Sequence, residues 1–252
     1  MKQSNAIVNV FGKEIIHLSH IDSTNNFAAT LISDQLCQNG TAILADSQSF
    51  GKGQRGNSWH SEPGKNLLVS FILKPDNLSV SRQHELTWIT SICIVKTLRI
   101  FNIESQIKWP NDILIRGKKI AGILIENQLS GEFISNSIIG IGLNVNQTDF
   151  DGIEATSIQL DIKKEISIEI VFNELCYQIN SLFREFHECD NNKLKTEYEL
   201  LLYQKNKQSF YEDENGKFEG EIIGVKNNGF LEVKVNEEVR EYGIKEIRYC
   251  SK

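Results

Sequence analysis

Apolar residues in the first hundred positions fall into short runs separated by two stretches of helical spacing. The runs at 14–18, 41–45 and 67–73 have the length and composition of buried β-strands. Helical spacing begins after the N-cap candidates Asp22 and Ser23 and extends to about residue 33. It returns over residues 81–101. This part of the chain therefore predicts three strands and two amphipathic helices.

The next hundred residues predict antiparallel strands followed by two helices. The strand-like runs are separated by Arg116-Gly117-Lys118 and Ser130-Gly131, which suit hairpin turns, and they cover 107–109, 112–115, 120–126 and 133–145. Helical spacing then recurs at 170–187 and 192–203.

The pattern changes again from about residue 205. Short alternating runs at 217–221, 229–235 and 239–242 predict small strands, with a turn at Asn227-Asn228-Gly229. Such a segment predicts a compact SH3-like β-barrel, which the polar run 204–206 joins to the rest of the chain.

The composition limits the function classes. The chain has 252 residues, a net charge of -6 and a pI near 5.5, which argues against binding to DNA or anionic membranes through a basic face. No apolar run reaches the roughly 18 residues of a membrane span, and no secretory signal is expected. The five cysteines are scattered without a Cys-x-x-Cys pair, so we expect reduced thiols, a cytoplasmic protein and no transition metal held by the chain.

Residues 51–59, which read Gly-Lys-Gly-Gln-Arg-Gly-Asn-Ser-Trp, combine a glycine-rich backbone with two cations and an indole. Glycines let backbone N–H groups approach a ligand closely, and Lys52 and Arg55 add positive charge. The combination suits a phosphate-bearing ligand with a planar part, although a flexible surface loop explains these nine residues equally well. A P-loop is excluded because Asn57 stands where that motif requires lysine.

Three further motifs leave alternatives open. Gly140-Ile141-Gly142 lacks the third glycine of a dinucleotide fingerprint, and two glycines on one face of a strand favour space for a ligand. Asn111 and Asp112 follow the stiffening Pro110 and suit a ribose or a phosphate-bound Mg²⁺, but a plain Pro-Asn-Asp turn is the simpler interpretation. Lys119 is either a solvated turn charge or a cation at the mouth of a buried strand.

Taken in this order, the motifs resemble those of the biotin protein ligase family. The matching segments cover nearly the whole chain from about residue 14 and are Asp22-Ser23-Thr24-Asn25, Gln48 with the 51–59 loop, Lys108-Trp109-Pro110-Asn111-Asp112, Lys119-Ile120-Ala121-Gly122-Ile123-Leu124 and Gly140-Ile141-Gly142-Leu143-Asn144-Val145-Asn146. The resemblance implies an α+β fold, with a mixed-sheet catalytic domain over residues 1–204, helices packed on one face, and a small C-terminal SH3-like β-barrel over 205–252. It also implies the enzyme without the DNA-binding domain of some members, because about twenty residues precede the catalytic region.

The resemblance further implies a two-step reaction. ATP activates biotin to biotinyl-5′-AMP, and a lysine of a biotin carboxyl carrier protein then takes the biotinyl group. Biotin is the substrate, ATP the co-substrate and Mg²⁺ its counter-ion, and whether the protein forms a homodimer stays open. Because the carboxylate of biotin is the nucleophile, catalysis depends on positioning two anions and neutralising charge at phosphorus.

Each motif receives a role from the same resemblance. The catalytic cations are Lys119, Lys52 and Arg55, and Lys119 bridges the carboxylate and the α-phosphate. The biotin-binding residues are Ser23, Thr24, Asn25, Gln48, Lys52, Gly53, Gln54, Lys119, Gly140 and Gly142. The ATP- and adenylate-binding residues are Gly51, Gln54, Arg55, Trp59, Asn111 and Asn144, and Asp112 is the candidate for Mg²⁺ contact. The family loop usually reads Gly-Arg-Gly-Arg-x-x-Arg-x-Trp, so Lys52, Gln54 and Asn57 replace three arginines.

Two rival functions are weighed against this one. A lipoate–protein ligase shares the fold and the chemistry, but its family has a different glycine-rich loop and lacks the Lys-Trp-Pro-Asn-Asp box. A non-enzymatic nucleic-acid-binding module would also use a basic loop with Trp59, but the acidic net charge argues against it.

Overall fold

The computed structural model describes residues 10–188 and 191–250. Their strands and helices follow the order β1 Ile15–Leu18, α1 Thr24–Ser33, β2 Ala42–Ala45, β3 Asn66–Leu73, α2 His84–Ile100, β4 Gln106–Lys108, β5 Asp112–Ile115, β6 Lys118–Ser130, β7 Phe133–Asn144, α3 Ile158–Ile162, α4 Ile168–Glu188, α5 Asn191–Leu200, β8 Gln208–Asp213, β9 Gly216–Val225, β10 Leu231–Val235, β11 Glu238–Tyr242 and β12 Arg248–Tyr249. Among the described helices, none is both long enough and apolar enough to cross a bilayer.

The large sheet is mixed, with strand order β1-β2-β3-β7-β6-β5-β4. β1 pairs with β2 in parallel, and every other neighbouring pair is antiparallel. Because parallel neighbours need a crossover, the chain returns through α1 between β1 and β2. The predicted hairpins β5–β6 and β6–β7 turn at 116–117 and 131–132.

Strand β3 shows how the two faces of this sheet are covered. All eight of its residues are buried, so neither face of the strand is left to solvent. On one face Phe71 stacks on Phe172 of α4, with ring centroids 6.2 Å apart, and α2 packs beside α4. On the other face Ile72 lies in a small apolar cluster with Ala28 of α1. The candidate site lies on this second face, beside α1.

The predicted fold class is confirmed, with one difference in the placement of helices. Helices α2 and α4 pack on one face as expected, but α1 packs on the opposite face against β2, β3 and β7. Because the apolar residues of β3 point alternately to the two faces of the sheet, helices must pack on both faces to bury them. Residues 80–82 form a separate 3₁₀ turn, so α2 begins at His84, three residues later than predicted.

The C-terminal segment forms the predicted small β module, a five-stranded antiparallel sheet with order β11-β10-β9-β8-β12. Strands β8 and β12 were not predicted. The module is tied to the large domain by hydrogen bonds from Trp109 Nε1 to the Gly229 carbonyl at 3.1 Å and from the Val225 amide to Glu199 Oε1 at 3.0 Å. The predicted boundary at 204/205 lies between α5 and β8, and independent folding of the two parts stays a prediction.

Candidate active site

A small cavity lies where the 51–59 loop crosses the second face of the large sheet. Its volume is about 40 Å³, which is room for water but not for a ligand the size of biotin. The cavity brings together most of the predicted site residues, and among its lining residues are Ser23, Thr24, Asn25, Gln48, Lys52, Gly53, Gln54, Trp59, Asn111, Lys119, Gly140 and Gly142. Motifs separated by about a hundred residues in sequence therefore meet at one place.

Glycines of β6 and β7 keep the floor of this cavity bare. A Cβ built at Gly142 would lie 2.7 Å from Trp59 Cζ2 and 2.8 Å from Cδ2. A Cβ at Gly140 would overlap Asn25 Oδ1, and one at Gly122 would lie 3.1 Å from Trp59 Cζ3. Since Gly122 and Gly142 are directly paired, the floor is a continuous strip of backbone under the loop.

The glycine-rich loop folds into a small closed hairpin. Lys52 and Ser58 form an isolated antiparallel bridge, the Gly53 amide donates to the Asn57 carbonyl at 2.7 Å, and the Trp59 amide donates to the Gly51 carbonyl at 2.9 Å. A Cβ at Gly51 would overlap the Trp59 carbonyl oxygen, so the ends of the loop close only with glycine there. The loop therefore places the Trp59 indole over the sheet.

Trp59 and Lys119 meet above the glycine floor. Lys119 Nζ lies 5.6 Å from the centre of the indole, within the range of a cation–π contact. The same Nζ forms a 2.6 Å ion pair with Asp112 Oδ1, and about a third of each side chain is exposed. None of the described groups accepts a hydrogen bond from the buried Trp59 Nε1. A buried indole N–H without an acceptor is costly, which favours a change of partner when a ligand binds.

The main chain of Lys119 is held on both sides by residues 154–156. Its amide donates to the Glu154 carbonyl at 3.1 Å, and its carbonyl accepts from the Thr156 amide at 2.8 Å. Asn144 Nδ2 in turn donates to the Thr156 carbonyl at 3.0 Å. Asn144 is therefore close to Lys119 through Thr156.

Polar side chains line the end of the cavity beneath α1. Gln48 Oε1 accepts from the Thr24 amide at 2.7 Å and lies 3.1 Å from Thr24 Oγ1. Ser70 Oγ lies 2.7 Å from Thr24 Oγ1 and 2.6 Å from Asn25 Oδ1. Asn25 Nδ2 donates to Glu126 Oε2 at 2.6 Å, which fixes the orientation of its amide. Gln48, Thr24, Ser70, Asn25 and Glu126 thus form a continuous hydrogen-bonded row, which we call the polar row.

The turn that begins α1 supports this row. Ser23 is buried at the N-cap position, but its hydroxyl does not cap the helix. Asp22 accepts a hydrogen bond from Asn26, and that bond lowers the pKa of the Asp22 carboxyl below its usual value. The carboxylate is therefore ionised at neutral pH and holds the first turn of the helix.

Three of the described predicted site residues, Gly51, Asn144 and Asp112, do not line the cavity. Gly51 lies in a wider open groove of about 970 Å³ on the outer side of the loop, which shares Lys52, Gly53 and Trp59 with the cavity. Asp112 pairs with the Lys119 ammonium, and Asn144 is linked to the Lys119 main chain through Thr156. The Arg55 side chain lies outside the described part of the chain.

Ser70 and Glu126 complete the polar row and were missed by the sequence interpretation. For Ser70 a signal exists, because it is the one polar residue in an otherwise apolar run from Leu67 to Leu73. A buried hydroxyl within such a run needs a hydrogen-bond partner. For Glu126, at the exposed end of a predicted strand, the sequence holds no comparable signal.

Within the described residues, no three His, Cys, Asp or Glu side chains come together to hold a metal ion. The candidate Mg²⁺ contact Asp112 offers a single carboxylate, whose oxygen already pairs with Lys119.

Comparisons with known proteins agree with the geometry. The family model described as the biotin/lipoate A/B protein ligase family matches residues 18–144. The bifunctional ligase/repressor BirA of Bacillus subtilis (strain 168) is 31% identical over 238 residues, covering 92% of this chain and 73% of that protein. The biotin–[acetyl-CoA-carboxylase] ligase of Paracoccus denitrificans is 33% identical over 132 residues, or 51% of this chain and 53% of that protein.

A solved structure shows the same fold over nearly the whole chain. The biotin protein ligase from Aquifex aeolicus in complex with biotin and ATP matches with a TM-score of 0.79 and 26% identity, covering 94% of this chain and 100% of that one. Because the family model spans half of the chain and the Bacillus relative is similar over most of it, this chain belongs to the biotin/lipoate A/B protein ligase family.

Proposed function

We propose that this protein is a biotin–protein ligase that works in two steps. A carboxylate oxygen of biotin attacks the α-phosphorus of ATP, the bond from that phosphorus to the bridging oxygen breaks, and biotinyl-5′-AMP and pyrophosphate form. The ε-amine of a carrier lysine then attacks the acyl carbon, loses a proton, and releases AMP as the amide forms. Neither step needs a nucleophile from the enzyme, so positioning and charge neutralisation are its tasks.

The observation that carries this proposal is the position of Lys119 between the polar row and the glycine-rich loop. Its ammonium lies beside Asp112 and the Trp59 indole, above a floor without side chains. A cation there meets both the carboxylate and the α-phosphate when the two anions are brought together. The ion pair with Asp112 and the fixed main chain of Lys119 orient the ammonium before the ligands arrive.

The polar row favours biotin over lipoate. The ureido ring of biotin has two N–H donors and one carbonyl acceptor, and Thr24, Asn25 and Gln48 offer hydroxyl and amide groups of both kinds. The dithiolane ring of lipoate has no strong donor or acceptor, so it could not pair with the remaining donor and acceptor positions of these residues. We therefore assign the row to the biotin head, with Ser23 at its edge.

The loop and Trp59 complete the adenylate side of the proposal. Gly51, Gly53, Gln54 and Lys52 form the hairpin that would wrap the carboxylate and the phosphate, while Asn111 faces the nucleotide and Arg55 adds charge. A cavity of about 40 Å³ has no room for biotin, so the indole of Trp59 must leave the glycine floor before the ligand binds. Trp59 then packs on the adenine, and the loop closes over the intermediate.

Mg²⁺ would bind at this site only together with the phosphates of ATP. Mg²⁺ commonly binds through one or two carboxylates together with substrate phosphates, and Asp112 is the single carboxylate beside Lys119. The ion neutralises phosphate charge when it is bound. The other residues of the site position the Lys119 ammonium, the 51–59 loop and the biotin head.

The acceptor in the second step is a biotin carboxyl carrier protein or domain. The name of the Paracoccus relative includes the acetyl-CoA carboxylase on which it acts, which supports this assignment. We place the reaction in the cytoplasm, where the buried thiols of Cys37, Cys93 and Cys176 stay reduced.

Biotin-dependent release of pyrophosphate from ATP, measured without any carrier, tests the first step. We expect release with biotin and none with lipoate. Release with lipoate alone would favour the lipoate ligase, and release with neither acid would contradict the proposed activation step.

A further inference from the structure

Ser70 lies at the centre of the polar row although it contributes no surface to the cavity. It is fully buried in β3, between Ile43 of β2 and Gly140 of β7. Its hydroxyl contacts Thr24 and Asn25, two of the residues assigned to the biotin head. A buried hydroxyl in the otherwise apolar run 67–73 is costly unless it has hydrogen-bond partners.

The direction of each hydrogen bond follows from the number of protons. Asn25 turns its Nδ2 to the carboxylate of Glu126, so its Oδ1 faces Ser70 and can only accept. Ser70 has one hydroxyl proton and must donate it to Asn25. Two hydroxyl protons then serve three contacts, so the 2.7 Å contact between Ser70 Oγ and Thr24 Oγ1 takes the Thr24 proton, and the longer 3.1 Å contact between Thr24 Oγ1 and Gln48 Oε1 is left without one. With its proton turned down to Ser70, the Thr24 oxygen keeps lone pairs for a donor in the cavity.

We infer that Ser70 is a positioning residue that makes the Thr24 hydroxyl a hydrogen-bond acceptor for one ureido N–H of biotin. This inference rests on the proposed function. The Glu126 carboxylate fixes the orientation of the Asn25 amide. Asn25 Oδ1 then accepts the hydroxyl proton of Ser70, and Ser70 Oγ accepts the hydroxyl proton of Thr24. Without Ser70, the Thr24 proton is no longer held away from the cavity and can turn into it, where it would face the ureido N–H of biotin.

The matched control is Ser137, a buried serine of β7 whose hydroxyl meets none of the described polar groups. Ser70→Ala and Ser137→Ala remove the same atom from the same sheet. Ser70→Cys keeps the volume but replaces the hydroxyl by a weak donor, so it serves if Ser70→Ala does not fold. Thermal unfolding of all three variants is measured beside binding.

The test is the ratio of affinities for biotin and for a biotin analogue with one ureido nitrogen methylated, measured by calorimetry. We expect Ser70→Ala and Ser70→Cys to weaken biotin binding about tenfold and to reduce the preference for biotin over the analogue, with the KM for ATP unchanged. Ser137→Ala should keep the parent values.

An unchanged biotin-to-analogue ratio in both Ser70 variants would overturn the inference, even if biotin binding weakened, because a merely structural role would affect both ligands alike. The same holds if the ratio falls equally in Ser137→Ala. The proposed function fails separately, since in that case the parent protein would bind no biotin.

Discussion

Replacing Gly140 by alanine tests whether this position needs glycine because a side chain there would displace Asn25. The new methyl carbon would lie 3.0 Å from Asn25 Cγ and would overlap its Oδ1, while an ordinary contact between carbon atoms is about 3.5 Å or more. Asn25 is almost fully buried and cannot move into solvent. The amide must therefore leave its place between Ser70 and Glu126.

The magnitude follows from the two hydrogen bonds that this movement breaks. The bond between Asn25 Oδ1 and Ser70 is neutral and contributes about 1 kcal/mol, and the bond from Nδ2 to the carboxylate of Glu126 contributes about 1.5 kcal/mol. Alanine is about 0.5 kcal/mol more favourable than glycine within a strand, which offsets part of this loss. We expect Gly140→Ala to lower the free energy of unfolding by about 2 kcal/mol and to weaken biotin binding more than tenfold.

A double-mutant cycle with Asn25→Ala assigns the cost to that contact. In the Asn25→Ala background the nearest atom to the methyl group is the Leu124 carbonyl oxygen, 3.1 Å away, and we expect a loss below about 1 kcal/mol. Urea denaturation of the four proteins measures both values. If Gly140→Ala costs the same in the two backgrounds, Gly140 does not make room for Asn25 and the reasoning is refuted.

Three further predictions concern the cation, the indole and the contact with the C-terminal module. Lys119→Ala should slow adenylate formation by about 10² to 10³ in a pyrophosphate assay, while Lys118→Ala, at the exposed start of β6, should not; equal rates would remove Lys119 from the mechanism. Biotin with ATP should shift the tryptophan emission, and an equal shift in Trp59→Phe would show that the indole does not move. His84 packs on Gly229, and its burial lowers its pKa, with Arg82 and Glu85 as the neighbouring charges. As the pH falls, the unfolded chain therefore binds a proton at this histidine before the folded chain does. The free energy of unfolding should decrease as the pH drops below about 6.5. Urea midpoints at pH 7.5 and 5.5 should therefore differ less in His84→Gln.

Local patterns in the sequence predicted most elements, because strands β3, β6 and β7 and helices α2 and α4 are long and strongly apolar on the buried side. The order of strands in the sheet was not predictable in this way, since it depends on contacts far apart in the chain. The same limit explains α1, whose apolar stripe shows that it packs but not on which face. Strands β8 and β12 carry too few apolar residues to stand out.

The site was predictable where a motif forces a geometry. Gly140 and Gly142 predicted space for a ligand over one face of the strand, and the Trp59 indole and the Asn25 amide lie against these glycines. The pairing of Lys119 with Asp112 and the resting place of Trp59 depend on how β5, β6 and the loop meet in space, which no single segment encodes. Ser70 was readable as a polar residue in a buried run, but its partners Thr24 and Asn25 are more than forty residues away.

Transfer of biotin to a carrier is the complete reaction proposed for this protein. An apo biotin carboxyl carrier domain is incubated with the protein, ATP and either biotin or lipoate, and its mass is measured. We expect one biotinyl group to be added to a single lysine only when ATP and biotin are both present, and Lys119→Ala to slow the addition by about 10² to 10³. Lipoyl transfer in place of biotinyl transfer, or no transfer by a folded protein that binds biotin, would contradict the proposed function.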